Sequence, residues 1–304
     1  MDLTQARVFL SPKNALGLLS SEADNLNIEK FDVYGDFTSN ANSSWIRRFE
    51  HQVADYLGHE DALFLPSGVM AQMITLCVNR ERSTCSDKDF FLCHYSSHLL
   101  IHEQDSFSEL LKMNAVIIPP HAQEEIQAPL MYTDVNANLA SSTPSTIIVE
   151  CPHREIGGKC TPIEDLKAIS STCREKGIRF HMDGARLWEA SAYYCSTSPG
   201  DEVSSSSVTI KDLCALFDSI YVSFYKGLGG LTGAMLLGDN AFISQSRVWL
   251  RRFGGNLFTL TPYALSAYVG FQQNVNSFQA RRDRLQQVIA IATRYERIYL
   301  VYSM

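Results

Sequence analysis

Short β-branched and apolar runs recur along the chain at Phe90 to Cys93, Ala115 to Ile118, Thr146 to Glu150, Ile178 to Met182, Ser219 to Phe224 and Gly233 to Leu237. Helical patterns lie between several of them. The plainest is Pro162 to Lys176, which opens with Thr161-Pro162, carries Glu164 and Asp165 in its first turn and stops at Gly177. Strand, helix, strand in succession requires crossover connections, hence a mainly parallel sheet covered by helices. The run TIIVE at Thr146 to Glu150 shows no polar alternation, as expected of a strand covered on both faces. Ligands of such sheets sit at the carboxyl ends of the strands, so residues just past strand ends are the first candidates for function.

The 304 residues suffice for one large α/β domain or two ordinary ones, and 45% hydrophobic content supplies a core. No internal repeat, heptad run or separable second domain is visible. A net charge of −7 leaves no electrostatic footprint for nucleic acid or an anionic membrane. The start MDLTQARVFLSPKN lacks the basic and apolar blocks of an export signal, and no apolar run approaches the roughly 20 residues that span a bilayer, so a cytoplasmic location is expected. Eight cysteines without a C-x-x-C pair argue against a zinc ribbon or a disulfide scaffold and read as reduced and mostly buried. Ser196 to Val208, small and serine-rich, reads as a surface loop or insertion. From about Asn274 the chain reads as an amphipathic helix, and it ends on the apolar-aromatic IYLVYSM, which expects a partner.

Ile178 to Trp188, IRFHMDGARLW, places Asp183 immediately after a buried strand. A carboxylate in so apolar a frame needs a cation or a hydrogen-bond donor. Arg186, three residues on, offers a salt bridge; alternatively Asp183 faces a protonated ring nitrogen of a cofactor while Arg186 presents its planar fork to a substrate carboxylate. A second strand and a glycine-rich turn follow in DSIYVSFYKGLGGLTGAML, with Lys226 just past the strand end. Such a lysine is either a point charge for phosphate or an amine able to form a Schiff base. The glycines do not make a nucleotide loop. A dinucleotide fingerprint from Gly227 and Gly229 would need glycine where Thr232 stands, and a P-loop would put its lysine after the glycines. A lysine on a tight turn after one strand, with an aspartate on a preceding one, is the arrangement expected of a pyridoxal-phosphate site.

HMDGARLW followed by SFYKGLGGLTGA resembles the threonine aldolase and β-eliminating lyase family of fold-type I pyridoxal-phosphate enzymes. FDVYGDFTSN at Phe31 to Asn40, ALFLPSGVMAQ at Ala62 to Gln72 and VECPHREIGGK at Val149 to Lys159 fit the same family, in the same order. The resemblance runs from about Arg7 to Phe278, nearer to the variants with YVSFYKGLGG than to the best-known bacterial threonine aldolases. It implies an α/β large domain built on a mainly parallel seven-stranded sheet. It also implies that Lys226 joins the cofactor aldehyde, that Asp183 keeps the pyridine nitrogen protonated, and that Arg186 binds the substrate carboxylate.

Further roles follow from the same resemblance. Ser67, Gly68 and Val69 precede a helical pattern and would turn their backbone N–H groups toward the phosphate. Val69 stands where the family often has a hydroxyl residue, so only backbone contacts are expected there. His98 would stack on the cofactor ring and act as a base, supported by Glu103, while His153 would sit near the substrate hydroxyl and take its proton. Arg154, beside it, replaces the asparagine more usual in the best-known aldolases and bears on side-chain preference. His94, His98 and His102 are spaced by four, as on one helix face, but without matching acidic ligands they do not make a metal site, and no metal is expected. His94 and His102 then read as surface or packing residues. Arg252, near GGNLF, is a further candidate near the site.

The implied activity is that of a carbon–carbon lyase, retro-aldol cleavage of a threonine-like or allo-threonine-like β-hydroxy-α-amino acid to glycine and an aldehyde, in a homodimer or homotetramer. Two other readings stand beside it: β-elimination on another amino acid, giving pyruvate rather than glycine, and a non-catalytic homologue that serves only as a binding or dimerisation module. The last arises because the chain ends where the family's small C-terminal domain would begin. The expected division is an N-terminal segment over 1–30, the cofactor-binding large domain over 31–278, and the start of a shortened small domain over 279–304.

Overall fold

A computed structural model describes residues 11–32, 44–119, 128–195 and 208–292. Positions 196–207 of the serine-rich segment, most of FDVYGDFTSN and the terminal IYLVYSM lie outside the described residues. Seven strands form one sheet: β1 (Asp61–Leu65), β2 (Asp87–His94), β3 (Asn114–Ile118), β4 (Pro144–Glu150), β5 (Arg179–Gly184), β6 (Ser219–Ser223) and β7 (Ala234–Gly238). Their order is β1-β7-β6-β5-β4-β2-β3, and β7 runs antiparallel to both its neighbours while every other pairing is parallel. Six strands coincide with the six runs read from the sequence. The seventh, β1, lies wholly buried beside β7.

Helices cover both faces. In chain order the described helices are α1 (Pro12–Asn25), α2 (Trp45–Leu57), α3 (Gly68–Arg82), α4 (His98–Ile101), α5 (Ser106–Glu109), α6 (Tyr132–Asn138), α7 (Ile163–Lys176), α8 (Leu187–Tyr194), α9 (Ile210–Cys214), α10 (Asn240–Arg252), α11 (Thr261–Asn274) and α12 (Phe278–Ala292). Helix α7 begins after Pro162 and ends at Gly177, whose φ of +69° closes the last turn in the left-handed region. On one face, Leu63, Leu65, Tyr221 and Leu236 pack under α3 and α10. On the other, Phe64, Val149, Met182 and Val222 pack with α2, α7, α8 and α11.

Two features of this packing hold the site edge in place. Phe224, just after β6, meets Phe49 of α2 at 5.5 Å between ring centroids, and Trp188 of α8 meets Phe271 of α11 at 5.6 Å. The Trp188 indole N–H donates to the Ser223 carbonyl at 2.9 Å, which fixes the strand end from which Lys226 departs. Behind β1, Glu50 accepts the Phe64 N–H at 2.6 Å and pairs with Arg247 at 2.8 Å and with Arg47, while Arg47 reaches Asp61 at 3.0 Å. These buried ions satisfy one another and tie α2 and α10 to β1.

The C-terminal helical pattern is α12. Phe278 is buried, Arg281 donates to the Gly227 carbonyl at 2.7 Å, and Arg282 donates to the Ala192 carbonyl at 3.1 Å. The position between residues 278 and 279 thus falls in the first turn of a helix bonded to α8 and to the Lys226 turn. Farther along, Val288 and Ile291 are about half exposed. All eight cysteines are free and six are buried. Among the described residues no helix is long and apolar enough to cross a membrane.

Candidate active site

At the carboxyl edge of the sheet, Glu150 of β4 pairs in register with Asp183 of β5, and Asp183 with Tyr221 of β6. Register partners in neighbouring strands project from the same face, so the three side chains form a row across the floor of a cleft with about 230 Å³ of free space. Asp183 is 6% exposed, accepts the Ala185 N–H at 3.1 Å and forms no ion pair with a described residue. The Asp183–Arg186 bridge weighed from the sequence does not form. Arg186 stands at the start of α8 and its guanidinium lies 3.4 Å from Glu189, one turn on. Burial pushes the Glu189 carboxyl up to about 7.

Lys226 enters the same cleft from the turn between β6 and β7. The Phe224 N–H donates to the Gly233 carbonyl at 3.0 Å across the base of that turn. Gly233 has φ of +113°, and a Cβ there would lie 2.6 Å from the Phe64 ring, so the turn needs glycine at this point. The Lys226 amine forms no ion pair with a described residue. Burial lowers its pKa, the Asp183 and Glu189 charges oppose that, and those of Arg186 and Arg154 add to it.

A third wall is the N-terminus of α3. Ser67 is the N-cap, its hydroxyl accepting the Met70 N–H at 3.3 Å, and Val69 is 39% exposed beside it. The N–H groups of Gly68 and Val69 have no acceptor within the helix, and both residues line the cleft. A Cβ on Gly68 would lie 2.0 Å from the Tyr221 hydroxyl, so only glycine lets the helix end approach the floor this closely.

Opposite, His98 opens α4. Its backbone N–H donates to Glu150 Oε1 at 2.6 Å and its Nδ1 lies 2.9 Å from Glu103 Oε1. The hydrogen bond to Glu103 raises the His98 pKa, with burial opposing, and burial raises that of Glu103. The three histidines spaced by four do not share a helix face, because His94 ends β2, His98 begins α4 and His102 follows it. Among the described residues no cluster of three or more His, Cys, Asp or Glu side chains is arranged to hold a metal.

His153 is 2% exposed and does not line the cleft. Its Nε2 lies 3.0 Å from the Ser96 hydroxyl, which in turn lies 2.9 Å from His94 Nδ1. Arg252 stacks over Trp249 at 4.5 Å, outside the cleft. Three residues of the site went unnoticed in the sequence: Glu150, Tyr221 and Glu189. Glu150 and Tyr221 are the register partners of Asp183 on the strands to either side of it, and that register is the signal that could have found them.

The family model for beta-eliminating lyases matches residues 32–297. The chain belongs to the beta-eliminating lyase family. A low-specificity L-threonine aldolase of Candida albicans is 27% identical over 246 residues, covering 79% of this chain and 60% of that protein. An alanine racemase of Cochliobolus carbonum is 28% identical over 214 residues, covering 69% of this chain and 49% of its own length. The chain therefore spans half to three-fifths of these relatives. Among solved structures, a Listeria monocytogenes protein assigned as an L-allo-threonine aldolase superposes with a TM-score of 0.77 at 35% identity, covering 94% of this chain and 71% of that one.

The family is one of pyridoxal-phosphate enzymes, and the residues present fit that cofactor. A buried acid and a half-buried amine share one cleft, each without an ion-pair partner among the described residues, beside a helix N-terminus open to an anion. That set matches the ring nitrogen, aldehyde and phosphate of pyridoxal 5′-phosphate.

Glu150 makes the cleft sensitive to pH. It is 6% exposed, and burial, followed by the Asp183 charge, pushes its carboxyl up to about 8, while the N–H and ring of His98 and the Ser97 hydroxyl oppose this. The native protein thus holds a proton that an unfolded glutamate, near 4.3, has released. This contribution is fully present below the unfolded value and is lost as pH rises through 8. Glu150→Gln keeps an oxygen for the His98 N–H and has no proton to lose. Urea unfolding between pH 5 and 8.5 is expected to show wild-type stability falling by a few kcal/mol more than that of the variant. Parallel profiles would refute the assignment.

Proposed function

We propose that the chain cleaves β-hydroxy-α-amino acids of the threonine type to glycine and an aldehyde. The observation that carries this reading is that Asp183 and Lys226, neither ion-paired among the described residues, share one cleft with the Arg186 guanidinium. When bound, pyridoxal phosphate supplies an aldehyde that takes up the substrate amine and a ring that accepts the electron pair released at Cα. Lys226 would hold the cofactor through that aldehyde and would give up its place to the substrate amine. Asp183 would keep a proton on the ring nitrogen, and Arg186 would fix the α-carboxylate and so orient the Cα bonds of the substrate.

His98 lines the cleft whereas His153 lies behind it, so we assign the hydroxyl proton to His98. Glu103 then stabilises the imidazolium that forms. His153, held by Ser96, backs the β2 end of the wall. Arg186 needs Glu189 to keep its guanidinium over the cleft. The assembly is taken to be a homodimer or homotetramer, on the strength of the family alone.

Product analysis tests the reaction. Protein loaded with pyridoxal phosphate and given L-threonine or L-allo-threonine is expected to release glycine and acetaldehyde in equal amounts. Release of 2-oxobutyrate and ammonia would replace this reading by elimination, and interconversion of alanine enantiomers without C–C cleavage would replace it by racemisation.

A further inference from the structure

Loops after three adjacent strands each deliver a cation to the cleft: Lys226 after β6, Arg186 after β5 and Arg154 after β4. Lys226 is committed to the cofactor aldehyde, where the substrate amine replaces it. One bidentate guanidinium suffices for the α-carboxylate of an amino acid, and Arg186, which follows the strand next to that of Lys226, is assigned to it. Arg154 remains. We infer that Arg154 receives a second anionic group on the substrate side chain, so that the preferred substrates are β-hydroxy-α-amino acids with an acidic side chain, 3-hydroxyaspartate being the smallest.

This rests on the retro-aldol reading above and narrows it. Arg154 lines the cleft with half its side chain exposed, and its ion-pair partner among the described residues, Glu155, is 3.4 Å away. The same Glu155 oxygen lies closer, 2.8 Å, to His102 Nε2, so the guanidinium edge is only loosely held. The lowering of the Lys226 pKa by the Arg154 charge as well as by that of Arg186 agrees with both cations being turned toward one site. A threonine methyl placed against that guanidinium gains little and strips water from a cation. A carboxylate there can form a paired, charge-assisted contact.

The reaction balances without another reactant. The Cα–Cβ bond of 3-hydroxyaspartate breaks, its electron pair stays with Cα, which is protonated to give glycine. The β-hydroxyl gives up its proton as Cβ becomes the aldehyde carbon of glyoxylate.

The test compares kcat/KM of the loaded wild-type protein for 3-hydroxyaspartate and threonine, and repeats it with Arg154→Gln and Arg154→Lys. A second readout needs no turnover: absorbance titration of the loaded protein with L-aspartate and L-2-aminobutyrate, which lack the hydroxyl. Wild type is expected to favour the acidic compound in both pairs. Arg154→Gln should cut that ratio by roughly ten- to a hundredfold in both assays, with Arg154→Lys recovering part of it. A wild-type preference for threonine, or an equal loss for both members of each pair in Arg154→Gln, overturns the inference; the latter would make Arg154 a second contact to the α-carboxylate. If neither hydroxy acid is cleaved while aspartate still binds more tightly through Arg154, the retro-aldol reading falls and the acidic preference stands.

Discussion

Lys226→Ala is expected to lose cleavage activity by roughly 10⁴-fold or more, the upper end of what one acid–base group contributes, because the lysine also anchors the cofactor. Folding should not account for this loss. Burial lowers the pKa of the Lys226 amine, so carrying its charge in the folded state costs stability at neutral pH, and removing it is neutral or mildly stabilising. The Ala variant without cofactor should therefore melt no lower than wild type. Borohydride treatment of protein loaded with pyridoxal phosphate should tether the cofactor to the wild-type peptide containing Lys226 and to no peptide of the variant. Equal labelling of both proteins would move the attachment point elsewhere and dismantle the proposed site.

The parts of this molecule that were legible in the sequence are those set by local chemistry. Six strands showed themselves as β-branched runs, and α7 by its acidic first turn and its terminal Gly177. β1 did not, because DALFL is a five-residue apolar stretch that could equally begin α3, and it becomes a strand only by pairing with β7, more than 160 residues away. Asp183 and Lys226 were legible for the same reason as the strands: each follows a strand end directly. Glu150 was not, since it reads as the last residue of TIIVE until the parallel register sets it beside Asp183.

Pairings were harder to read than positions. Arg186 is three residues from both Asp183 and Glu189, and sequence spacing treats the two alike. The chain turns at Gly184 and Ala185 from strand to helix, which leaves Asp183 on the sheet edge and puts Arg186 and Glu189 on one side of α8. The i, i+3 geometry of a helix then favours Glu189. The histidine spacing misled in a similar way, because a strand end and a helix start fall between His94 and His98.

Asp183→Asn carries the second largest expected effect, and it isolates charge from shape. The Asn oxygen can still accept the Ala185 N–H that Asp183 accepts at 3.1 Å, so the turn after β5 is kept. The amide nitrogen then faces the ring nitrogen as a donor, which favours the unprotonated ring and weakens it as an acceptor of the electron pair released at Cα. Threonine cleavage should fall by roughly 10²- to 10³-fold, the range for removing one preorganised electrostatic contact. A second consequence separates this from a general loss of structure. The Asp183 charge is one of the two causes that raise the Glu150 carboxyl, so Asp183→Asn should move Glu150 back toward an ordinary carboxylate and shrink the fall in stability between pH 5 and 8.5. A variant that kept turnover within threefold of wild type, or lost turnover with an unchanged stability profile, would show that the two carboxyls do not share the cleft floor as a coupled pair.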